Sequence, residues 1–287
     1  MIPASFAYHR ARSLPEAIGL LAQYGENARV VAGGHSLIPM MKLRLAKPEH
    51  LIDLQDLSEL RGIAEQPGTL VIGALTTQHE LIASELLAAR CPILREGALA
   101  IADPQVRYCG TLGGNLANGD PGNDMPAVML ALGASYRISG PDGERDIAAR
   151  DFYRGIYATA LRDGEILTGI RIPAPPDRHG WAYEKQKRKT GDYATAAAAV
   201  VLSMADGACR SAAIALTNLG DTPLFAQDAG AALVGSSVEE PAIAEAARRA
   251  QQIARPSADR RGPVAFRVHV AGIMVRRAIA RAKQRAG

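Results

Sequence analysis

Val31-Ala32-Gly33-Gly34-His35-Ser36-Leu37 is the stretch that decides the fold, and Gly110-Thr111-Leu112-Gly113-Gly114-Asn115 repeats its character later in the chain. Adjacent glycines let a backbone turn tightly and bring main-chain N–H groups close to an anion. Taken alone, each loop also fits an ordinary glycine turn, and neither has Walker or Rossmann spacing. Two such loops together can satisfy more oxygens of a diphosphate than one can. We therefore predict that both loops converge on one nucleotide diphosphate, with Ser36 as a further donor and His35 as a donor or a turn-shaping residue.

Turn-forming residues and carboxylates crowd the segment just after the second loop, Asn118-Gly119-Asp120-Pro121-Gly122-Asn123-Asp124-Met125-Pro126. One interpretation is that Asp124 accepts hydrogen bonds from ribose or ribityl hydroxyls. The other is that Asp120 or Asp124 caps the helix that follows. The two interpretations are compatible, and the sequence leaves both open.

Strand and helix patterns alternate through the first half of the chain. Ser13 and Glu16 predict a capped helix through Tyr24 that ends at Gly25, and Thr77 with Glu80 predicts a second capped helix. The predicted helices are 14–24, 78–87, 92–102 and 124–132, and the predicted strands are 29–32, 50–54, 70–75, 135–139, 145–148 and 166–172.

A proline cluster, Pro173-Ala174-Pro175-Pro176-Asp177, marks a boundary because proline cannot continue a strand ladder. Beyond it, 181–187, 194–204 and 209–217 read as an antiparallel meander. Helices close the chain, and the last is predicted over 264–286. Its buried stripe consists of Val268, Ala271, Val275 and Ile279.

The composition is that of an ordinary globular protein, with 287 residues, 48% hydrophobic and 22% charged. We expect a cytoplasmic protein because neither a membrane span nor an export signal is visible. A net charge of +4, with the basic residues concentrated at 185–189 and 276–285 and few aromatics, argues against nucleic-acid binding. Cys91, Cys109 and Cys209 have no metal-ligand spacing, so no metal site is expected.

The basic run Lys185-Gln186-Lys187-Arg188-Lys189 has two interpretations. In the first interpretation, the run contacts a cofactor phosphate, an acidic partner or a membrane surface. Alternatively, its lysines guard a solvated strand edge.

These segments resemble the flavin subunits of the molybdenum hydroxylases, which form the xanthine dehydrogenase family. Ala-Gly-Gly-His-Ser followed by Leu37-Ile38-Pro39-Met40-Met41-Lys42 resembles their first FAD loop, and Thr-Leu-Gly-Gly-Asn their second, preceded by Ala102-Asp103-Pro104-Gln105-Val106-Arg107-Tyr108. Lys185 to Ala194 and Ser257-Ala258-Asp259-Arg260-Arg261-Gly262-Pro263 are similar to the aerobic carbon monoxide dehydrogenase branch. The resemblance covers essentially the whole chain.

The resemblance implies an α+β fold of the vanillyl-alcohol-oxidase type, with two subdomains and FAD between them. A C-terminal domain with a three-stranded antiparallel sheet and helices would follow. The implied boundaries are 1–176 for the FAD-binding domain, with subdomains of about 1–55 and 56–176, and 177–287 for the C-terminal domain.

The same resemblance implies which residues contact FAD. The two glycine loops would hold the pyrophosphate, Asp124 would face the ribityl chain, and Lys185 and Tyr193 would lie near the flavin. Plain core packing is the alternative for Ile101, Leu167 and Tyr193. The implied contacts are Ala32, Gly33, Gly34, His35, Ser36, Leu37, Ile101, Thr111, Leu112, Gly113, Gly114, Asn115, Asp124, Leu167, Lys185 and Tyr193.

The implied role is electron transfer with no catalytic residue on this chain. A molybdenum-containing large subunit would oxidise the substrate, CO in the branch resembled, and a small subunit would carry [2Fe–2S] clusters, in a dimer of heterotrimers. FAD would pass electrons to a quinone or cytochrome, with peripheral attachment to the inner membrane face as one option. The alternatives are a xanthine, nicotinate or aldehyde hydroxylase, a stand-alone FAD oxidase of the same fold, and an assembly scaffold without FAD.

Overall fold

The computed structural model describes residues 2–176 and 179–286, so Asp177 of the proline boundary lies outside it. The strands are β1 (Ala7–Arg10), β2 (Ala28–Val31), β3 (His50–Asp53), β4 (Ile63–Gln66), β5 (Thr69–Gly73), β6 (Ser135–Gly140), β7 (Gly143–Ala148), β8 (Tyr153–Gly155), β9 (Ala158–Thr159), β10 (Ile166–Pro173), β11 (His179–Gln186), β12 (Ala196–Ala205), β13 (Ala208–Thr217) and β14 (Leu224–Phe225). The α-helices are α1 (Leu14–Tyr24), α2 (Leu37–Lys42), α3 (Gln78–Ala83), α4 (Glu85–Arg90), α5 (Pro92–Ala100), α6 (Pro104–Cys109), α7 (Leu112–Ala117), α8 (Met125–Ala131), α9 (Gln227–Ala231), α10 (Glu240–Ile253) and α11 (Val264–Ala286).

A small parallel sheet of order β1-β3-β2 forms the N-terminal layer, with α1 packed on it. The predicted limits of α1 are confirmed: the Ser13 side chain accepts a hydrogen bond from the Glu16 N–H, and Gly25 ends the helix with a φ of +52°. The Glu16 carboxylate accepts from the N–H of Arg12, one residue before the position that a capping box requires.

The second layer is an antiparallel sheet of order β4-β5-β10-β6-β7, which shares one core with α3, α5 and α8. The Thr77–Glu80 capping box is confirmed. The single helix predicted to reach Leu87 is wrong, because Ser84 is extended and its hydroxyl accepts from the Leu87 N–H to start α4. A second serine cap therefore divides one periodic segment into two short helices.

The C-terminal sheet has the order β11-β12-β13-β14 and is antiparallel. Three strands were expected; the two-residue β14 adds a fourth at the edge beside β13. The alanine run of β12 alternates between two cores: Ala197 and Ala199 face the core of the second layer, and Ala196 and Ala198 face the helices α10 and α11. Small side chains on both faces let the sheet lie close to the layers above and below it.

The predicted bounds of α11 are confirmed at both ends, and it packs on β11 and β12. Ala271, Val275 and Ile279 of the predicted stripe are fully buried, and Val268 is partly buried. At the proline cluster, β10 includes Pro173, whose partner is Thr69, before the ladder stops.

Candidate cofactor site

The two glycine loops touch, so the prediction that they converge is confirmed. A Cβ built on Gly33 would lie 2.1 Å from the carbonyl oxygen of Cys109 and 2.9 Å from the Cα of Gly110. Only glycine permits this approach. Between the loops lies a cleft of about 350 Å³, lined by Ala32, Gly33, Gln55, Arg61, Leu75, Thr77, Tyr108, Cys109 and Thr111.

The first loop leaves its main-chain donors open. Within residues 2–176 and 179–286, the N–H groups of residues 33–37 make no hydrogen bond, and helix bonding begins only with Ile38 N–H to Gly34 O at 3.0 Å. Gly34 has a φ of +72°, a left-handed conformation that glycine adopts without strain. The loop therefore presents consecutive unpaired donors, the arrangement that binds an anion.

His35 shapes this loop through its own ring. Its Nδ1 lies 2.6 Å from the carbonyl oxygen of Gly33 and must be the donor, because a carbonyl only accepts. Ser36 stands at the start of α2, and its hydroxyl does not cap the helix. Of the two roles left open for His35, the structure assigns it the turn.

The second loop uses its N–H groups within the protein. Leu112 N–H donates to Thr76 O and Gly113 N–H donates to Ala74 O, both at 2.8 Å. Gly114 N–H donates to the hydroxyl of Thr111 at 3.0 Å. Asn115 N–H donates to the main-chain oxygen of Thr111, so none of these four amides is open to a ligand. The second loop therefore uses these four amides within the protein, and its contact with the pyrophosphate stays a prediction.

The Asn115 side chain is the polar group that the second loop leaves available. Its Oδ1 is buried and has no hydrogen-bond partner among the described residues, while its main-chain oxygen accepts from Asn123 Nδ2 at 2.8 Å. Buried polar atoms are usually paired. An orphaned oxygen at this loop is a position where a ligand hydroxyl could donate.

Asp124 forms a buried ion pair rather than a helix cap. Its Oδ2 accepts from Lys185 Nζ at 2.8 Å, its Oδ1 accepts from the Tyr183 hydroxyl at 2.5 Å, and no side-chain cap is made at the start of α8. Both charged side chains are only 5% exposed. Burial raises the pKa of the Asp124 carboxyl, and the Lys185 ammonium opposes that rise. The capping alternative for Asp124 is wrong.

Two lysines of the basic run meet the end of α5. Lys185 Nζ donates to the Ala100 carbonyl at 3.2 Å, and Lys187 Nζ lies 3.5 Å from the same oxygen. Burial, and then the charge of Lys185, lower the pKa of Lys187. Ile101 follows directly and is buried. Thus Lys185 and Lys187 turn inward from the edge strand β11, whereas Lys189 is exposed.

Two predicted contacts remain, Leu167 in β10 and Tyr193 in the segment between β11 and β12. Leu167 is buried in β10 opposite Ile138, beside a bulge that ends at Gly169. Tyr193 is 42% exposed and packs on Gly122, where a built Cβ would lie 2.8 Å from its Cδ1. Leu167 packs in the core, while Tyr193 leaves much of its ring open. Their roles at a cofactor remain predictions.

Gln55, Arg61, Thr77 and Tyr108 line the cleft and were not expected there. The guanidinium of Arg61 makes only long bonds of 3.4 Å, to Leu75 O and Gln55 O. No local motif marks Arg61, because its place depends on β4 and β5 folding back toward the loops. Thr77 carried a signal: the sequence predicted it as the cap of α3, and in the fold it also forms a β-bridge to Thr111.

Residues 2–176 and 179–286 contain neither a candidate metal site nor a candidate membrane span. That part of the chain contains no group of three or more His, Cys, Asp or Glu side chains arranged to hold a metal ion. It also has no helix that is both long and apolar enough to cross a membrane. Cys91 and Cys209 are buried, Cys109 is exposed, and all three thiols are free.

Comparison with known proteins identifies a class that binds FAD. Residues 4–175 match the family described as FAD binding domain in molybdopterin dehydrogenase, and residues 181–282 match the CO dehydrogenase flavoprotein C-terminal domain. The chain belongs to this family of flavoproteins, and FAD is its cofactor. The unpaired donors of the first loop and the orphaned oxygen of Asn115 fit that cofactor.

Individual relatives indicate which branch of the family this chain is most similar to among those compared. The chain is 59% identical to the carbon monoxide dehydrogenase medium chain of Afipia carboxidovorans, over 100% of this chain and 99% of the relative. It is 47% identical to the medium chain of the same name from Hydrogenophaga pseudoflava, over 97% of each. A crystal structure of the cyanide-inactivated Cu,Mo-CO dehydrogenase contains a chain that matches with a TM-score of 0.98 and 59% identity, covering 99% of this chain and 100% of that one.

Proposed function

We propose that this chain is the FAD-binding medium subunit of a carbon monoxide dehydrogenase that converts CO and water to CO2. The observation that carries the proposal is the end-to-end match at 59% identity to a medium chain of that name. Members named for other substrates match less well, such as the nicotine 6-hydroxylase medium subunit at 37% and a xanthine dehydrogenase FAD-binding subunit at 30%. They define the runner-up, a related hydroxylase acting on a different substrate.

The role of this chain is to hold FAD and to exchange electrons through it. FAD accepts one or two electrons, so it can join single-electron [2Fe–2S] clusters to a two-electron acceptor. In this proposal the open N–H groups of residues 33–37 hold the diphosphate, and Arg61 adds a positive charge at the cleft. Asp124 and Lys185 form a buried ion pair, and Lys185 donates to the carbonyl of Ala100, the residue before Ile101. The chain supplies no acid, base or nucleophile.

The partners follow from the same proposal. A molybdenum-containing large subunit oxidises CO, a small subunit carries the [2Fe–2S] clusters, and two such heterotrimers form a dimer. The electron acceptor is a quinone or a cytochrome, reached from the cytoplasmic face of the membrane. Within this chain the FAD-binding domain ends at residue 176 and the C-terminal domain begins at 177. A stand-alone oxidase is less well supported, because the relatives that match end to end are named as chains or subunits.

The test is to purify the complex that this chain forms with its co-expressed neighbours. We expect one FAD per chain, flavin and [2Fe–2S] bands in the visible spectrum, and bleaching of both when CO is added without an acceptor. Xanthine and nicotine serve as comparison substrates. Bleaching by one of these and not by CO would replace CO dehydrogenase with the runner-up, and a colourless complex would overturn the flavoprotein role.

A further inference from the structure

The basic residues at the end of α11 include two that share one carboxylate from the first half of the chain. Arg281 and Arg285 lie one helical turn apart and both reach Glu96 of α5. Arg285 Nη1 donates to Glu96 Oε2 at 2.7 Å, and Arg281 Nη2 lies 2.7 Å from Glu96 Oε1. Because α5 belongs to the half that carries the glycine loops, these ion pairs join the two halves of the chain.

The same two arginines also bind β11, the edge strand that lies between the two helices. The helix α5 packs in the core of the second layer, α11 packs in the other core, and both contact β11. Arg285 Nη1 donates to Trp181 O at 2.7 Å, and its guanidinium carbon lies 5.1 Å from the Trp181 ring centre. Arg281 also pairs with Glu184. The end of α11 therefore fastens α5 and β11 together past the edge of the sheet.

One turn beyond Glu96, α5 ends at the group that holds Lys185. The carbonyl of Ala100 accepts from Lys185 Nζ at 3.2 Å, and the same ammonium pairs with Asp124 Oδ2 at 2.8 Å. The helix α5 is thus tied to β11 at two points, Glu96 and Ala100. A movement of α5 along β11 would carry the Ala100 carbonyl away from Lys185 and leave the buried ion pair with one support fewer.

We propose that Glu96 is a positioning residue for the cofactor site, held by Arg281 and Arg285 so that α5 keeps the Ala100 carbonyl on Lys185. Glu96 acts through the helix, and the geometry of a site depends on such supports as well as on the groups that contact a ligand. The inference rests on the proposed function, because it requires FAD beside the buried pair that Lys185 forms. It also gives a role to the basic end of α11.

The experiment measures the FAD affinity of Glu96→Gln in the purified complex after removal and re-addition of FAD. Loss of the charge releases α5 from the arginines, so the affinity should fall about fivefold, and the difference from the parent should narrow at high salt. Glu96→Asp keeps the charge and should stay within about twofold of the parent. Glu245→Gln is the matched control, because Glu245 also holds two arginines, Arg248 and Arg249, but all three lie on α10. It should leave the FAD affinity unchanged.

Unchanged FAD affinity in a folded Glu96→Gln complex would overturn the inference and leave the proposed function intact. That holds even if the variant unfolds at a lower urea concentration, because Glu96 would then serve stability alone. Equal losses of affinity in Glu96→Gln and Glu245→Gln would also overturn it, since the position of α5 would not be the cause. If Glu96→Gln does not fold, Arg281→Gln removes one of the two cations, and its FAD affinity decides. A parent complex that takes up no FAD would instead defeat the proposed function.

Discussion

The first glycine loop leaves the N–H groups of residues 33–37 without partners, whereas the second loop donates those of Leu112 through Asn115 to Thr76, Ala74 and Thr111. The two loops look alike in sequence, yet one is open to a ligand and the other is closed on the protein. Residues 33–37 are partly or fully exposed, so their free N–H donors can bind an anion or water. Similar glycine pairs can thus serve either a ligand or the fold.

The strongest test of this difference is Gly33→Ala, because the added methyl would meet the Cys109 carbonyl. The loops must separate, and the donors on either side of Gly33 shift with them. We expect FAD affinity in the reconstituted complex to fall by at least about a hundredfold, equivalent to roughly 2.7 kcal/mol. Gly19→Ala in α1, where a Cβ meets nothing within 4 Å, is the matched control. Full FAD occupancy in Gly33→Ala would remove the first loop from the site.

Lys185→Met tests the buried ion pair between Asp124 and Lys185. It would leave the Asp124 carboxylate buried without its cation, and breaking one side of a buried pair costs about 3–5 kcal/mol of stability. Urea unfolding should detect this loss. The double variant Asp124→Leu with Lys185→Met should recover most of it, because no charge is then buried. Equal stability of the single and double variants would contradict the account of the ion pair.

Gly113→Ala tests the closed loop itself. A Cβ there would lie 2.5 Å from Ala74 Cβ and 2.7 Å from Ala74 O, so the loop must move away from β5. We expect a loss of about 1–3 kcal/mol in unfolding free energy. Among molecules that remain folded, FAD affinity should fall less than in Gly33→Ala. A larger affinity loss at Gly113 than at Gly33 would reverse the roles assigned to the two loops.

Arg61→Gln should have the smallest effect and should act on binding alone. Its guanidinium lines the cleft on long contacts, so its charge is free to meet a diphosphate. FAD affinity should drop about tenfold at low salt and less at high salt, with the midpoint of thermal unfolding unchanged. Arg210→Gln, at an exposed position in β13, should leave affinity as it was. A salt-independent change would argue against a charge contact.

Rules based on neighbouring residues predicted some helices and strands correctly and missed others. Serine and threonine caps fixed the starts of α1 and α3 because capping depends on neighbours in the chain. The same kind of cap at Ser84 divided a segment whose periodicity suggested one helix. The short β1 and α2 carry few residues and weak patterns, and neither was expected. Arg61 gave no signal, because its place at the cleft depends on β4 and β5 folding back toward the loops.

The amino-acid sequence by itself determined the two glycine loops, their convergence as a hypothesis, the span of α11, and the family resemblance that points to FAD. Only the tertiary structure decided which loop leaves its amides open, that Asp124 pairs with Lys185, and that Arg61 lines the cleft. The physical reason is the reach of the interactions. Turns and caps are made between near neighbours, whereas the partner of a buried donor or charge comes from whichever strand the fold brings beside it.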